Sequence, residues 1–286
     1  MRMRDAGKRL RWAAWWLLLA SCCVWAQLPF YTDDTEVTAP GTLHVETFDE
    51  LDALQSAQLP DLRQNTLNFK VNVGLPHRLE LDVDAPYLSI DRASGSNSSH
   101  GIGDTEFGLK WKMHEATPNS LLPALAASLY IEVPTGDARQ ELGSGLTDYW
   151  LNFIAHEPLF DRTWLNVNVG ILFAGNTSTG VVGIETTRGH VFTGGLSILH
   201  EIDERLTLGG EVYGGIADND GLHRTQLQLL LGAQYNVSRT FMLSLGLIAG
   251  KFAASPKIGG QLGFAIDFPG TFRTVDRSAP LNLAMR

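Results

Sequence analysis

The chain of 286 residues carries 22 Lys and Arg against 31 Asp and Glu, a formal charge of −9, with 44% hydrophobic residues and two cysteines. The acidic balance argues against a nucleic-acid partner, which needs a basic face, and two adjacent cysteines cannot build a disulfide framework. Beyond residue 26 no apolar run is long enough to cross a bilayer as a helix, and the length suits a single β-barrel domain.

The first predicted element is a leader. Arg2, Arg4, Lys8, Arg9 and Arg11 precede an apolar run over 12–20, and small residues lead up to Ala26. That order predicts a secretory signal peptide over 1–26, cleaved after Ala26. Both cysteines lie inside it, and Leu19-Ala20-Ser21-Cys22 also fits a lipoprotein processing sequence, which would make an acylated Cys22 the new N-terminus. The leader holds five basic residues and one acidic one, so the remainder stands at −13. Residues 27–41, with Asp33, Asp34 and Glu36, are predicted as a polar periplasmic segment ahead of the barrel.

From Leu43 to Phe268, short segments alternate apolar and polar residues. Successive strand side chains point to opposite faces, so alternation gives one lipid-compatible face and one polar face. A sheet in a bilayer must also close on itself to leave no backbone edge unpaired. The prediction is an all-β fold, a transmembrane antiparallel up-and-down β-barrel over 42–268. Twelve strands are expected near 42–50, 64–73, 78–90, 102–114, 122–134, 146–156, 163–174, 188–199, 205–216, 224–236, 240–250 and 258–268, with a C-terminal tail at 269–286.

The inward residues follow from the same period. They are Lys70 in the second segment, Glu80, Asp82 and Asp84 in the third, and Glu106, Lys110 and Lys112 in the fourth. Tyr130 and Glu132 follow in the fifth, Asp148 and Trp150 in the sixth, Arg205, Glu211 and Tyr213 in the ninth, and Asp267 in the last. The charged ones are candidates for lumen selectivity by rings of charge, or for pairing with opposite charges on neighbouring strands. The inward aromatics either stack an aromatic solute or fill the lumen. Outward aromatics, Phe107, Trp111, Tyr149, Phe153, Phe173, Tyr235, Phe241 and Phe268, are predicted to contact lipid and form interfacial girdles.

Connections sort by length. Longer ones fall near 51–63, 91–101, 135–145, 175–187, 217–223 and 251–257, and compact ones near 74–77, 157–160 and 236–239, with turn-forming Gly, Pro and Asn. Outer-membrane barrels show that alternation, with the short turns periplasmic. A soluble sandwich has no reason to sort its loops in this way. Glu50 to Gln55 has a composition suited to a helical turn. In the last segment, Gln261, Gly263, Ile266 and Phe268 match the insertion signal read by the outer-membrane barrel insertion machinery, although eighteen residues follow it.

Three stretches carry a resemblance. Thr32-Asp33-Asp34-Thr35-Glu36 is followed by Pro40-Gly41, Gly101-Ile102-Gly103-Asp104 leads into Thr105 to Trp111, and Pro134-Thr135-Gly136-Asp137 leads to Gly143 through Tyr149. Together they resemble the meta-pathway phenol degradation family of outer-membrane proteins, whose members are also labelled transporters. The resemblance implies a barrel and passage of small hydrophobic compounds, and it transfers no site residues.

Enzyme chemistry finds no foothold. His77, His114, His156, His190, His200 and His223 are dispersed, and Ser98-Ser99-His100 is adjacency in a loop rather than a triad. Asp218-Asn219-Asp220-Gly221 lacks the distant carboxylate of a calcium loop. The expectation is therefore a non-enzymatic barrel with no catalytic residue, cofactor or metal, set in outer-membrane lipid of a Gram-negative bacterium. It passively admits a small solute. The alternative is a structural or adhesive barrel with a plugged lumen.

Overall fold

The computed structural model describes residues 28–117, 122–173, 189–217 and 225–272. Residues 1–26, where the leader with Ala26 and Cys22 is expected, lie outside them, as do Asp218 to Gly221 and most of residues 269–286. Thirteen strands run through the described residues: β1 (Leu43–Ala53), β2 (Asp61–Leu75), β3 (Leu79–Arg92), β4 (Ser99–Ile102), β5 (Thr105–His114), β6 (Ala124–Val133), β7 (Asp148–Phe160), β8 (Thr163–Phe173), β9 (His190–Glu201), β10 (Leu206–Ala217), β11 (Gln226–Asn236), β12 (Phe241–Gly250) and β13 (Ile258–Phe268). Twelve of them pair antiparallel in chain order, and β1 closes the barrel on β13 from Leu43↔Phe268 to Ala53↔Ile258.

The thirteenth is β4. The single strand expected over 102–114 breaks before Thr105. Its first part, β4, pairs only with the far half of β3 from Tyr87↔Ile102 to Ile90↔Ser99, and β5 takes the near half, Leu79 to Asp84. The cause is Asp104, whose carboxylate leaves the ladder to accept N–H groups of Gly136 and Ser144 at 2.9 and 2.6 Å. Glu50 to Ala53 continue as strand, and only Ser56–Gln58 beyond them turn helically.

One end of the barrel carries tight turns at 76–78, 161–162, 202–205 and 237–240, with a longer link at 115–123. His77 and Arg78 both take positive φ, 66° and 62°, the backbone of the two-residue hairpin turns that suit strand twist. In the 202–205 turn, Asp203 accepts the N–H groups of Arg205 and Leu206 at 2.7 and 2.9 Å, and these donors hold its carboxyl below the usual carboxylate range. Arg205 belongs to that turn and is exposed. The ladder starts at Leu206, one residue later than the apolar alternation suggests, so Arg205 stands at the turn-end mouth of the barrel rather than along its wall.

The faces divide as the alternation requires. Along β9, Phe192, Leu196 and Ile198 face out at 58, 44 and 45% exposure, while Thr193 and Ser197 face in at 5 and 0%. The outer surface is apolar and the inner one polar, the reverse of a water-soluble sandwich, and a patch of that extent has no place in water. Trp111, Tyr235, Phe241 and Phe268 ring the turn end; Phe107, Tyr149 and Phe173 ring the loop end.

The largest departure from expectation is the segment before β1. Residues 28–41 do not hang beneath the barrel. They fold up into the lumen, with Leu28, Phe30, Thr32, Asp33 and Thr35 all buried.

Candidate functional site

This strap crosses the lumen between two walls. On one side its apolar residues meet the inner faces of β9 to β13. Phe30 packs with Leu199, Leu230 and Ile248, and Leu28 with Met242 and Ala265. Glycine clears the path: a Cβ at position 232 would come within 2.5 Å of Pro29 Cγ, and one at 195 within 2.5 Å of Thr32 Oγ1.

Polar anchors complete the docking. Glu211 accepts the N–H groups of Tyr31 and Thr32, and the Tyr31 hydroxyl donates to Glu50. Lys110 meets Asp33 at 2.6 Å and Asp34 at 3.8 Å, and Lys112 meets Glu36 at 2.7 Å. Glu80 accepts the Thr38 N–H, and the strap leaves the lumen where Gly41 N–H donates to the Gly74 carbonyl at 3.0 Å.

Among the described residues the strap leaves space on either side of it. The upper chamber, about 250 Å³, is bounded by the strap below and by Leu142 and Gly143 of the 134–147 loop above. The lower one, about 260 Å³, opens toward the turn end past Thr240 and Pro269. Asp33, Glu46, Lys70 and Tyr130 border both, so they form the waist.

Over the upper chamber the 134–147 loop is held as a lid. Leu142 is buried with Leu88 and Ile90, and Asp104 ties the loop backbone as described. Arg92 fastens the rim, donating to Asp61, Ser99 Oγ and Glu141, each at 2.6 Å. Replacing Asp104 with Ala removes the acceptor of two N–H groups, each loss worth about 1–3 kcal/mol. The expected result is amide exchange at Gly136 and Ser144 faster by about tenfold or more, read by hydrogen–deuterium exchange, with barrel melting unchanged.

The sequence-predicted residues distribute as follows. Lys70, Asp84, Glu106, Tyr130, Glu132, Trp150 and Tyr213 line the upper chamber, while Glu80, Lys110, Lys112 and Glu211 hold the strap. Asp82 accepts the Tyr130 hydroxyl at 3.2 Å, Asp148 is buried in the wall, and Asp267 bonds His44 at 2.6 Å. Gln261 points inward and donates to Glu50 at 2.9 Å; Gly263 also faces in, and Phe268 faces out at the end of β13. Sequence reasoning missed Tyr31, Asp33 and Glu36 of the strap, and Glu46, Glu50 and Asn152 of the wall. One signal was available for the strap, two lysines two apart on the inner face of β5 and three carboxylates in a segment otherwise without periodicity.

Residues 50–266 match a protein family described as "Putative MetA-pathway of phenol degradation". No curated protein matches the sequence. Among solved structures, the chain is similar to the COG4313 outer membrane channel from Pseudomonas putida F1, with a TM-score of 0.64 at 14% identity, covering 82% of this chain and 98% of that one. It is similar to the NanC porin, with a TM-score of 0.53 at 8% identity and coverage of 78 and 98%. A KdgM porin in complex with disordered oligogalacturonate gives a TM-score of 0.50 at 9% identity and coverage of 79 and 99%. At these identities the likeness establishes a shared barrel fold.

Proposed function

The chain belongs to this phenol-degradation family, and from that premise we propose that it is a non-enzymatic outer-membrane channel for small hydrophobic or aromatic solutes, closed at rest by its own strap. The observation that carries the reading is the upper chamber. It is a partly open space inside a lipid-facing barrel, where Phe30, Phe48, Leu88, Tyr130 and Trp150 stand among Lys70 and several carboxylates, and pockets that combine apolar walls with placed polar groups are where small organic molecules bind. Nothing in the mechanism couples to an energy source. The fold supplies the hole, strap and lid close it from either side, and the chamber selects by size and polarity. The short turns, the start of β1 and the end of β13 then face the periplasm.

A second reading, a permanently plugged structural barrel, is favoured by the density of strap anchors. Single-channel recording of the purified, heat-modifiable protein in planar bilayers separates the two. The channel reading predicts brief steps that a small neutral aromatic such as phenol or benzyl alcohol blocks. A folded protein that stays silent supports the plug.

A further inference from the structure

Strand register puts side by side carboxylates that sequence order keeps apart. Asp84 faces Glu106, Glu106 faces Glu132, and Glu132 faces Asp148 across β3, β5, β6 and β7. Those of the row that line the upper chamber are already engaged by the wall. Glu106 hydrogen-bonds Glu132, which also bonds Asp104, and Asp84 accepts from Asn68 at 3.0 Å. Elsewhere around the chamber Glu50 accepts from Tyr31 and Gln261, and Asp33 pairs with Lys110.

The groups left over are donors. Tyr213 is 2% exposed and lines the chamber. A strand side chain stands roughly perpendicular to its sheet, so the hydroxyl at the tip of this inward ring points into the lumen, and it makes no hydrogen bond with a described residue. The ring is braced against Tyr31 of the strap, with centroids 5.8 Å apart. Asn152, 3% exposed, lines the same chamber, and its amide has no partner among the described residues. Lys70 borders both chambers; it lies in the field of Glu46, Asp82, Asp33 and Asp84 but forms no hydrogen bond or ion pair with a described residue. A buried donor without an acceptor is costly, so a molecule seated here gains most by supplying acceptors. It must also be uncharged. Among the described residues lining the chamber, Lys70 is the one cation beside seven carboxyl side chains, a field that opposes an anion, and a cation would need acceptors that the wall already uses.

We propose that the upper chamber binds a small neutral aromatic carbonyl compound, an aryl ketone, aldehyde or ester. Its oxygen accepts from the Tyr213 hydroxyl, with the Asn152 amide and the Lys70 ammonium as further donors, and its ring rests on Phe30, Phe48 and Leu88. The proposal rests on the channel reading above and narrows its solute class.

The test is calorimetric binding of acetophenone, ethylbenzene and benzoate, three ligands of similar size, to the purified full chain and to Y213F/N152A. One nonionic detergent at neutral pH serves throughout, so that partition into micelles is common to both proteins. The double variant, checked for heat-modifiable mobility, is expected to bind acetophenone about tenfold more weakly and ethylbenzene unchanged, with benzoate the weakest ligand of the unaltered protein. Y213F alone removes one oxygen and is expected to lose about threefold; it carries the test if the double variant does not fold. Acetophenone binding that these variants leave unchanged overturns the proposal. So does an equal loss for ethylbenzene, which would show a reshaped apolar wall rather than a lost hydrogen bond, and so does benzoate bound as tightly as acetophenone, which would mark an anion site at Lys70. Recording in bilayers keeps the two readings apart. A ketone preference that depends on Tyr213 in a silent protein upholds the site and removes the channel, whereas steps from a protein that treats acetophenone and ethylbenzene alike uphold the channel and remove the site.

Discussion

Replacing Lys110 with Met will undock the strap while leaving the barrel folded. Lys110 is 3% exposed, and its ammonium faces both Asp33 and Asp34. Removing one partner of a buried pair leaves the other charge uncompensated, at a cost of about 3–5 kcal/mol. Since the strap contributes no strand to the closed sheet, that cost falls on docking rather than on barrel closure. A shift of this size changes a docked-to-undocked ratio by about two to four orders of magnitude. Limited proteolysis will then cut within residues 28–41, and single-channel steps will become longer and larger. The double variant Asp33→Asn with Lys110→Met removes both charges and is expected to recover most of the docking, which a double-mutant cycle measures directly. A strap that stays protected in the single variant would show that the apolar contacts of Leu28 and Phe30 suffice alone.

An arginine at Leu245 will have an effect of similar size by a different route. Leu245 lies midway along β12, 54% exposed, opposite Leu262 of β13 and Ala233 of β11. On a surface in water, a polar substitution at so exposed a site is nearly neutral, within about 0.5 kcal/mol. Near the middle of a bilayer the same change costs about 2–4 kcal/mol. Reversible urea unfolding in lipid vesicles distinguishes the two. A cost near zero would mean that the apolar outer face does not meet lipid.

The barrel was legible because its signal is local: a period of two repeats within each strand, and loop lengths report which end is which. The strap was not, because its contacts are long-range. Asp33 meets a lysine 77 positions away, and a segment without periodicity gives no cue to where it docks. The inward glycines at 195 and 232 record its path, but a glycine in a strand reads only as weak β propensity until a neighbour is known to pass there. Each carboxylate of the chamber row could be assigned to the inner face, yet their alignment across four strands depends on registers set by the links between them. Asp104 shows the same limit. It reads as part of a strand, and its service to the backbone of a loop some thirty to forty residues on becomes visible only in three dimensions.

The central claim, a lumen closed by a movable strap, is tested most directly by tying the strap down. A Cβ at position 195 would lie 3.4 Å from the Cβ of Thr32, close to the range of about 3.5–4.5 Å that a disulfide spans. The measurement is single-channel conductance of T32C/G195C, with Cys22 and Cys23 replaced by Ser, before and after reduction. Silence when oxidised, with steps restored on reduction, is the predicted result. Equal conductance in both states would contradict the account.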